Sequence, residues 1–117
     1  GFTRGELQRI GFIAGYHKRP MRALSDPELA ALPAAQRVEV LKLAALLRLA
    51  EALDPDHQQR VDRVTARMDA ASLRLLAETR FGDRDDFTII DDSFRKKSDL
   101  FEEIFGIKPS LTEVLAT

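Results

Sequence analysis

The sequence predicts an α+β fold, in which a mainly helical portion is followed by a small antiparallel sheet with a packed helix. Up to residue 60, apolar residues recur at three- and four-residue steps, which is the period of amphipathic helices. After Arg60 the pattern alternates, since polar residues separate Val64, Ala66 and Met68. We therefore expect a helical part, 1–60, and a mixed part, 61–117, packed together as one unit.

The composition is that of an ordinary globular protein. The 117 residues are 44% hydrophobic and 32% charged, with a formal net charge of −1. This charge balance does not favour nucleic acid as a partner, and no apolar run is long enough to span a membrane. The absence of cysteine excludes disulfides, a thiolate zinc site and a cysteine nucleophile. Because Gly1 is not an initiator Met and Phe2-Thr3 leads directly into a helix signal, we expect the chain to be a piece of a longer protein.

The first helix is predicted from a capping box, with Thr3 as N-cap and Glu6 three residues later. It should run to about His17. The apolar positions that should pack on the core are Leu7, Ile10, Ala14 and His17. His17 should therefore face inward or a cleft, either as a hydrogen-bonded structural histidine or as a ligand.

Two further helices are expected before residue 60. Ser25 is the predicted N-cap of a short second helix, with Pro27 in its first turn and Glu28 completing a capping box. A third helix should begin near Pro33 and end before Pro55. It is apolar on nearly every face, so we expect it to be the central helix.

Two carboxylates lie three residues apart on one face of this third helix, Glu51 and Asp54, beside Arg48. An isolated ionised Glu on a buried face would cost several kcal/mol, so Glu51 needs a partner, a metal or solvent. For Glu51, two interpretations stay open: a structural ion pair with Arg48, and a role in a functional site.

The mixed part should contain three strands and a final helix. Two strands are expected on either side of a turn at 69–72, with the second containing Leu73 and Leu75. The run 87–90 is predicted to be the third strand, and Asp91 or Asp92 should cap the final helix, which ends at Gly106. The apolar stripe expected to pack this helix on the sheet is Phe94, Leu100, Phe101, Ile104 and Phe105.

The amino end is basic, since five Lys and Arg residues stand against Glu6 alone within the first two dozen residues. A patch of this kind concentrates anions, and arginine and lysine pair well with phosphate oxygens. The candidate phosphate-binding residues are Lys18, Arg19, Arg22 and Arg48.

Two motifs carry a resemblance to a known family: Tyr-His-Lys-Arg at 16–19, and Leu-Arg-Leu-Ala-Glu-Ala-Leu-Asp at 47–54 followed by His57. With them, nearly the whole chain resembles the carboxy-terminal region of the exopolyphosphatase and guanosine pentaphosphate phosphohydrolase (Ppx/GppA) family. The resemblance implies an HD-like helical portion and a small mixed tail. The family-motif positions are His17, Glu51, Asp54 and His57. Glu51 departs from the family, which usually has Asp where catalytic HD phosphohydrolases keep their last metal ligand.

The resemblance implies an auxiliary role in a cytoplasmic, homodimeric phosphohydrolase. The chain would help to bind and guide polyphosphate, while missing amino-terminal lobes of the parent, which would use a divalent cation such as magnesium, carry the catalysis. We expect no catalytic residue, metal or cofactor in this chain, because neither histidine is followed by Asp. Polyphosphate and guanosine pentaphosphate both stay open as the parent's substrate.

Two other function classes remain. In the first, the third helix and the Phe-rich last helix build a dimerisation or interaction module that binds no phosphate. In the second, the chain is itself a metal phosphohydrolase with His17, Glu51 and Asp54 as ligands, since histidine and carboxylates can hold iron or zinc.

Overall fold

The computed structural model describes residues 1–79 and 84–115; residues 80–83 and 116–117 of the predicted mixed part lie outside the described residues. The described chain is built from α-helices, one 3-10 helix and three strands, which confirms the α+β class. In order they are α1 (Arg4–Tyr16), the 3-10 helix (Pro20–Ser25), α2 (Pro27–Ala30), α3 (Ala34–Ala52), β1 (Val61–Met68), β2 (Leu73–Thr79), α4 (Arg84–Lys97), α5 (Asp99–Phe105) and β3 (Pro109–Leu115).

The chain divides into two compact units, Gly1–Arg48 and Leu49–Thr117. The division falls within α3, because the helix continues to Ala52. The first unit holds the basic amino end, and the second holds the sheet.

Helix α1 begins as predicted. The Glu6 amide donates to Thr3 Oγ1 at 3.1 Å, and the Thr3 amide donates to Glu6 Oε1 at 3.1 Å, which is the expected capping box. The predicted apolar stripe is wrong, however: Leu7 and Ile10 are exposed, and the buried residues are Tyr16 and His17 at the carboxyl end. The helix is anchored by its last turn.

The segment after α1 contains an unpredicted 3-10 helix, Pro20–Ser25, followed directly by α2. The N-cap of α2 is Asp26, whose Oδ1 accepts from the Glu28 amide at 2.9 Å. Ser25, the predicted cap, instead belongs to the 3-10 helix and donates its hydroxyl to the Arg22 carbonyl at 3.4 Å.

Helix α3 lies within its predicted bounds, but it has distinct faces. Its buried residues are Val40, Ala44, Ala45, Leu49 and Ala52. Leu43, Leu46 and Leu47 lie on another face and are exposed. The helix is apolar on nearly every face, but only one of these faces is buried. Glu51 is exposed and does not bear the expected cost of burial.

The sheet has the order β1-β2-β3. The predicted hairpin is present, since β1 and β2 pair antiparallel across the turn, with Met68 opposite Leu73 and Ala66 opposite Leu75. Strand β3 pairs with β2 in parallel, with Leu111 opposite Leu75. The sheet is therefore mixed, and the prediction of a purely antiparallel sheet is wrong.

The predicted third strand at 87–90 is instead part of helix α4, which runs through Asp91 and Asp92. Its buried residues Ile90 and Phe94 are four positions apart, and this helical spacing prevails over the β-branched composition of the run. The helical run is interrupted at Ser98, and α5 follows. Helix α5 ends as predicted at Gly106, whose φ of 71° is left-handed. The true third strand, β3, comes after this helix.

Candidate functional site

The candidate site is a groove of about 430 Å³ in the first unit. It lies along the carboxyl half of α1 and the segment that follows. Its lining residues are Gly11, Phe12, Gly15, Tyr16, Lys18, Arg19, Arg22 and Asp26. The structure thus brings together three of the four predicted phosphate-binding residues.

The chain turn after α1 positions the three cations. The Lys18 and Arg19 amides both donate to the Gly15 carbonyl, at 3.3 and 3.1 Å, and the Arg22 amide donates to the Arg19 carbonyl at 3.1 Å. These bonds hold the three basic residues close together on a compact stretch of backbone. All three side chains are exposed, and none forms an ion pair with a residue that the structure describes. Their charges remain available to an anion.

One wall of the groove is formed by Tyr16 and Asp26. The buried phenol of Tyr16 donates a short hydrogen bond to Asp26 Oδ2, and its ring stacks on Phe12 with the ring centroids 5.6 Å apart. The bond from Tyr16 lowers the pKa of Asp26, while burial, and then this bond, raises the pKa of Tyr16. The Asp26 carboxylate is therefore ionised and bonded to Tyr16, so it holds this wall of the groove in place.

This bond predicts a pH-dependent contribution to stability. The pKa of Asp26 is lower in the folded state, so its contribution is present above the ordinary aspartate pKa of about 4 and is lost as pH falls below it. The raised pKa of Tyr16 makes its contribution disappear as pH rises above the ordinary tyrosine value of about 10.

Tyr16→Phe should lower the free energy of unfolding at pH 7 by about 1 kcal/mol. In denaturant unfolding from pH 3 to 11, the difference from the wild type should shrink at both ends. Phe12→Leu, which keeps the Tyr16–Asp26 bond, is the control and should follow the wild-type pH profile. A Tyr16→Phe deficit that stays constant over this range would contradict the assignment.

The fourth candidate, Arg48, has a structural contact. The residue is half-buried, and its Nη1 donates to the carbonyl of His17 at 2.9 Å. His17 itself is buried, and its Nδ1 lies 3.3 Å from the Ile13 carbonyl, which can only accept. These contacts favour the structural interpretation of His17, and they give Arg48 the role of tying α3 to the end of α1.

The remaining family-motif positions, Asp54 and His57, lie in the loop after α3, in the second unit. Asp54 Oδ1 accepts from the Gln59 amide at 3.0 Å, and its Oδ2 is 3.9 Å from His57 Nδ1. His57 is exposed and has φ of 57°, a value that non-glycine residues adopt mostly in tight turns. Asp54 therefore stabilises this turn.

No three His, Asp or Glu side chains are grouped so that they could hold a metal ion, within the residues that the structure describes. The described helices also include none that is long and apolar enough to cross a bilayer.

Sequence reasoning missed the floor of the groove, which includes Gly11 and Gly15. The signal was their spacing of four, which places both on one side of α1. A Cβ added at either position would meet nothing within 4 Å. Both positions therefore border open space, and glycine at each lowers the stability of the helix because it is a poor helix former.

Gly11→Ala should therefore raise the free energy of unfolding by about 0.5–1 kcal/mol, because alanine has less backbone freedom to lose and meets no clash. The same methyl group would narrow the groove. The matched control is Gly5→Ala, which adds the same methyl group to the same helix but outside the groove. Thermal unfolding gives the stability, and a destabilised Gly11→Ala protein would contradict the open floor described above.

No family model and no curated protein matches this chain.

Proposed function

We propose that this chain is the carboxy-terminal auxiliary region of an exopolyphosphatase-type phosphohydrolase and that it binds a phosphate-rich polyanion in the groove of its first unit. The observation that carries the proposal is the placement of Lys18, Arg19 and Arg22 on one groove without ion-pair partners among the described residues. The motifs at 16–19 and 47–54 supply the link to this class of enzyme.

The chemistry of the groove suits a flexible polyanion better than a single small phosphate. Three exposed cations on one short segment can each pair with a different phosphate of a chain, and no single contact needs to be decisive. The side-chain-free floor at Gly11 and Gly15 leaves room for such a chain to lie along α1. Binding of this kind is electrostatic and weakens with salt.

In this proposal the chain guides substrate and does not hydrolyse it. Hydrolysis belongs to amino-terminal lobes of a cytoplasmic parent that uses a divalent cation such as magnesium. Arg48 is assigned a supporting role, because its bond to the His17 carbonyl fixes the backbone next to Lys18 and Arg19.

The test is calorimetric titration of the chain with long-chain polyphosphate at low and moderate salt. Saturable binding that weakens with salt is expected. Poly-glutamate of similar charge is the control, and weaker binding of it is expected where the groove recognises phosphate and not charge alone. Absence of binding at both salt concentrations would refute the proposal for this chain.

A second candidate is an interaction module, favoured by the exposed leucines of α3. Leu43, Leu46 and Leu47 form an apolar face on one side of the helix. Phe94 and Phe101 of the last helices are buried, so they do not extend this apolar face. A concentration-dependent mass that Leu43→Lys and Leu47→Lys abolish, together with no polyphosphate binding, would select this candidate.

A further inference from the structure

Strand β1 is an exposed edge of the sheet. In the order β1-β2-β3 it is paired on one side only, with β2. Every residue from Asp62 to Met68 is exposed. Unpaired backbone groups on an edge strand form a template on which another strand can add.

The hairpin turn shows which backbone groups of β1 point outward. The Asp69 amide donates to the Ser72 carbonyl at 3.0 Å, so these two residues form a hydrogen-bonded pair. Hydrogen-bonded and non-hydrogen-bonded pairs alternate along an antiparallel ladder. It follows that Arg67 and Thr65 bond toward β2. The amides and carbonyls of Met68, Ala66 and Val64 point away from the sheet.

The same three residues carry an apolar strip. They stand opposite Leu73, Leu75 and Ala77, which are buried, so they share the buried face of the sheet. Yet Val64 is 41% exposed and Met68 is 56% exposed. Natural edge strands are commonly protected by β-bulges or by a charge on the inward face. Strand β1 has a register irregularity only at its start, between Val61 and Arg63, and residues 63–68 carry no inward charge, since Arg63 and Arg67 lie on the other face.

We propose that β1 pairs antiparallel with β1 of a second copy of this chain, with the two-fold axis at Ala66. In this register each Val64 lies opposite Met68 of the second copy, and Ala66 meets its own counterpart. All three outward residues of each strand then find partners, which gives six backbone hydrogen bonds. The two sheets become one continuous sheet, and the apolar strips of the two strands lie side by side on one face.

Charge favours a second copy in this register, because no like charges are placed opposite each other. On the opposite face, Thr65 lies opposite Arg67 of the second copy. Arg63, which forms an ion pair with Glu78 of its own sheet at 3.5 Å, lies opposite Asp69 of the second copy, whose carboxylate accepts hydrogen bonds within its own turn. A register with the axis at Thr65 would instead place Arg63 opposite Arg67, and like charges directly opposite each other destabilise a strand pair. The inference does not depend on phosphate binding, because it uses residues of the second unit only.

A single cysteine tests the axis directly, because the natural chain contains none. In the proposed dimer the two Ala66 Cα atoms would be about 5.5 Å apart, within the range that a disulfide spans. Ala66→Cys should form a covalent dimer under mild oxidation. Thr112→Cys, exposed on the other edge strand β3, is the control and should stay largely uncross-linked.

Sedimentation equilibrium gives a second, independent test. The wild type should show a concentration-dependent mass between monomer and dimer. Ala66→Glu, which places two carboxylates at the axis, should weaken the dimer by about 100-fold, whereas Thr65→Glu should not weaken it because it faces Arg67 of the second copy. A wild type that is monomeric up to about 1 mM overturns the proposal. So does a dimer that Ala66→Cys fails to cross-link.

Discussion

Ile90→Ala is expected to lower the free energy of unfolding by about 3 kcal/mol, the typical cost of removing a buried isoleucine side chain. Ile90 is fully buried on the inner face of α4. Phe94, one helical turn later on the same face, is also buried. The loss combines the transfer free energy of the deleted carbons with the cavity that they leave. Urea unfolding followed by circular dichroism measures it.

The matched control is the preceding residue, Ile89, which is 41% exposed. Ile89→Ala removes the same atoms, and it should cost less than about 1 kcal/mol because little buried area and no closed cavity are involved. Equal losses at the two positions would contradict the orientation of α4.

Reversing the charges of the groove is expected to weaken polyphosphate binding by about 100-fold or more at low salt. The variant is Lys18→Glu with Arg19→Glu and Arg22→Glu. If each of the three cations releases about one counterion, the wild type should lose roughly 20- to 40-fold in affinity between about 50 and 200 mM salt. The triple variant should show almost no salt dependence of what binding remains. Calorimetry at both salt concentrations measures each effect.

The control makes the same change in net charge outside the groove, by replacing Arg4, Arg74 and Lys108 with glutamate. These three side chains are exposed, and none of them lines the groove. A general electrostatic effect would weaken binding equally in both triple variants, and that result would count against the groove. The two Gly→Ala variants separate shape from charge, since Gly11→Ala should reduce affinity and Gly5→Ala should not.

Local signals in the sequence predicted the elements whose cause is local. The capping box at Thr3 and Glu6 works through atoms three residues apart, and the hairpin across the turn at Asp69 depends on alternation within two short runs. The glycine at 106 ends its helix because it adopts a positive φ without strain. Each of these features requires only neighbours in the chain.

The errors arose where a distant contact decides the structure. The run at 87–90 has a strand-like composition, but burial of Ile90 and Phe94 on one side makes it helical. Strand β3 joins β2 in parallel, which no local pattern specifies because the pairing spans 36 residues from Leu75 to Leu111.

The candidate site divides in the same way. The sequence by itself determined that Lys18, Arg19 and Arg22 form a basic cluster, since they are close neighbours in the chain. Only the tertiary structure decided that they share a groove with Gly11 and Gly15, that Asp26 is held by Tyr16, and that Arg48 is engaged with the His17 carbonyl. The physical reason is that composition sets which charges are present, whereas burial and hydrogen bonds between distant residues set which of them are left to meet a ligand.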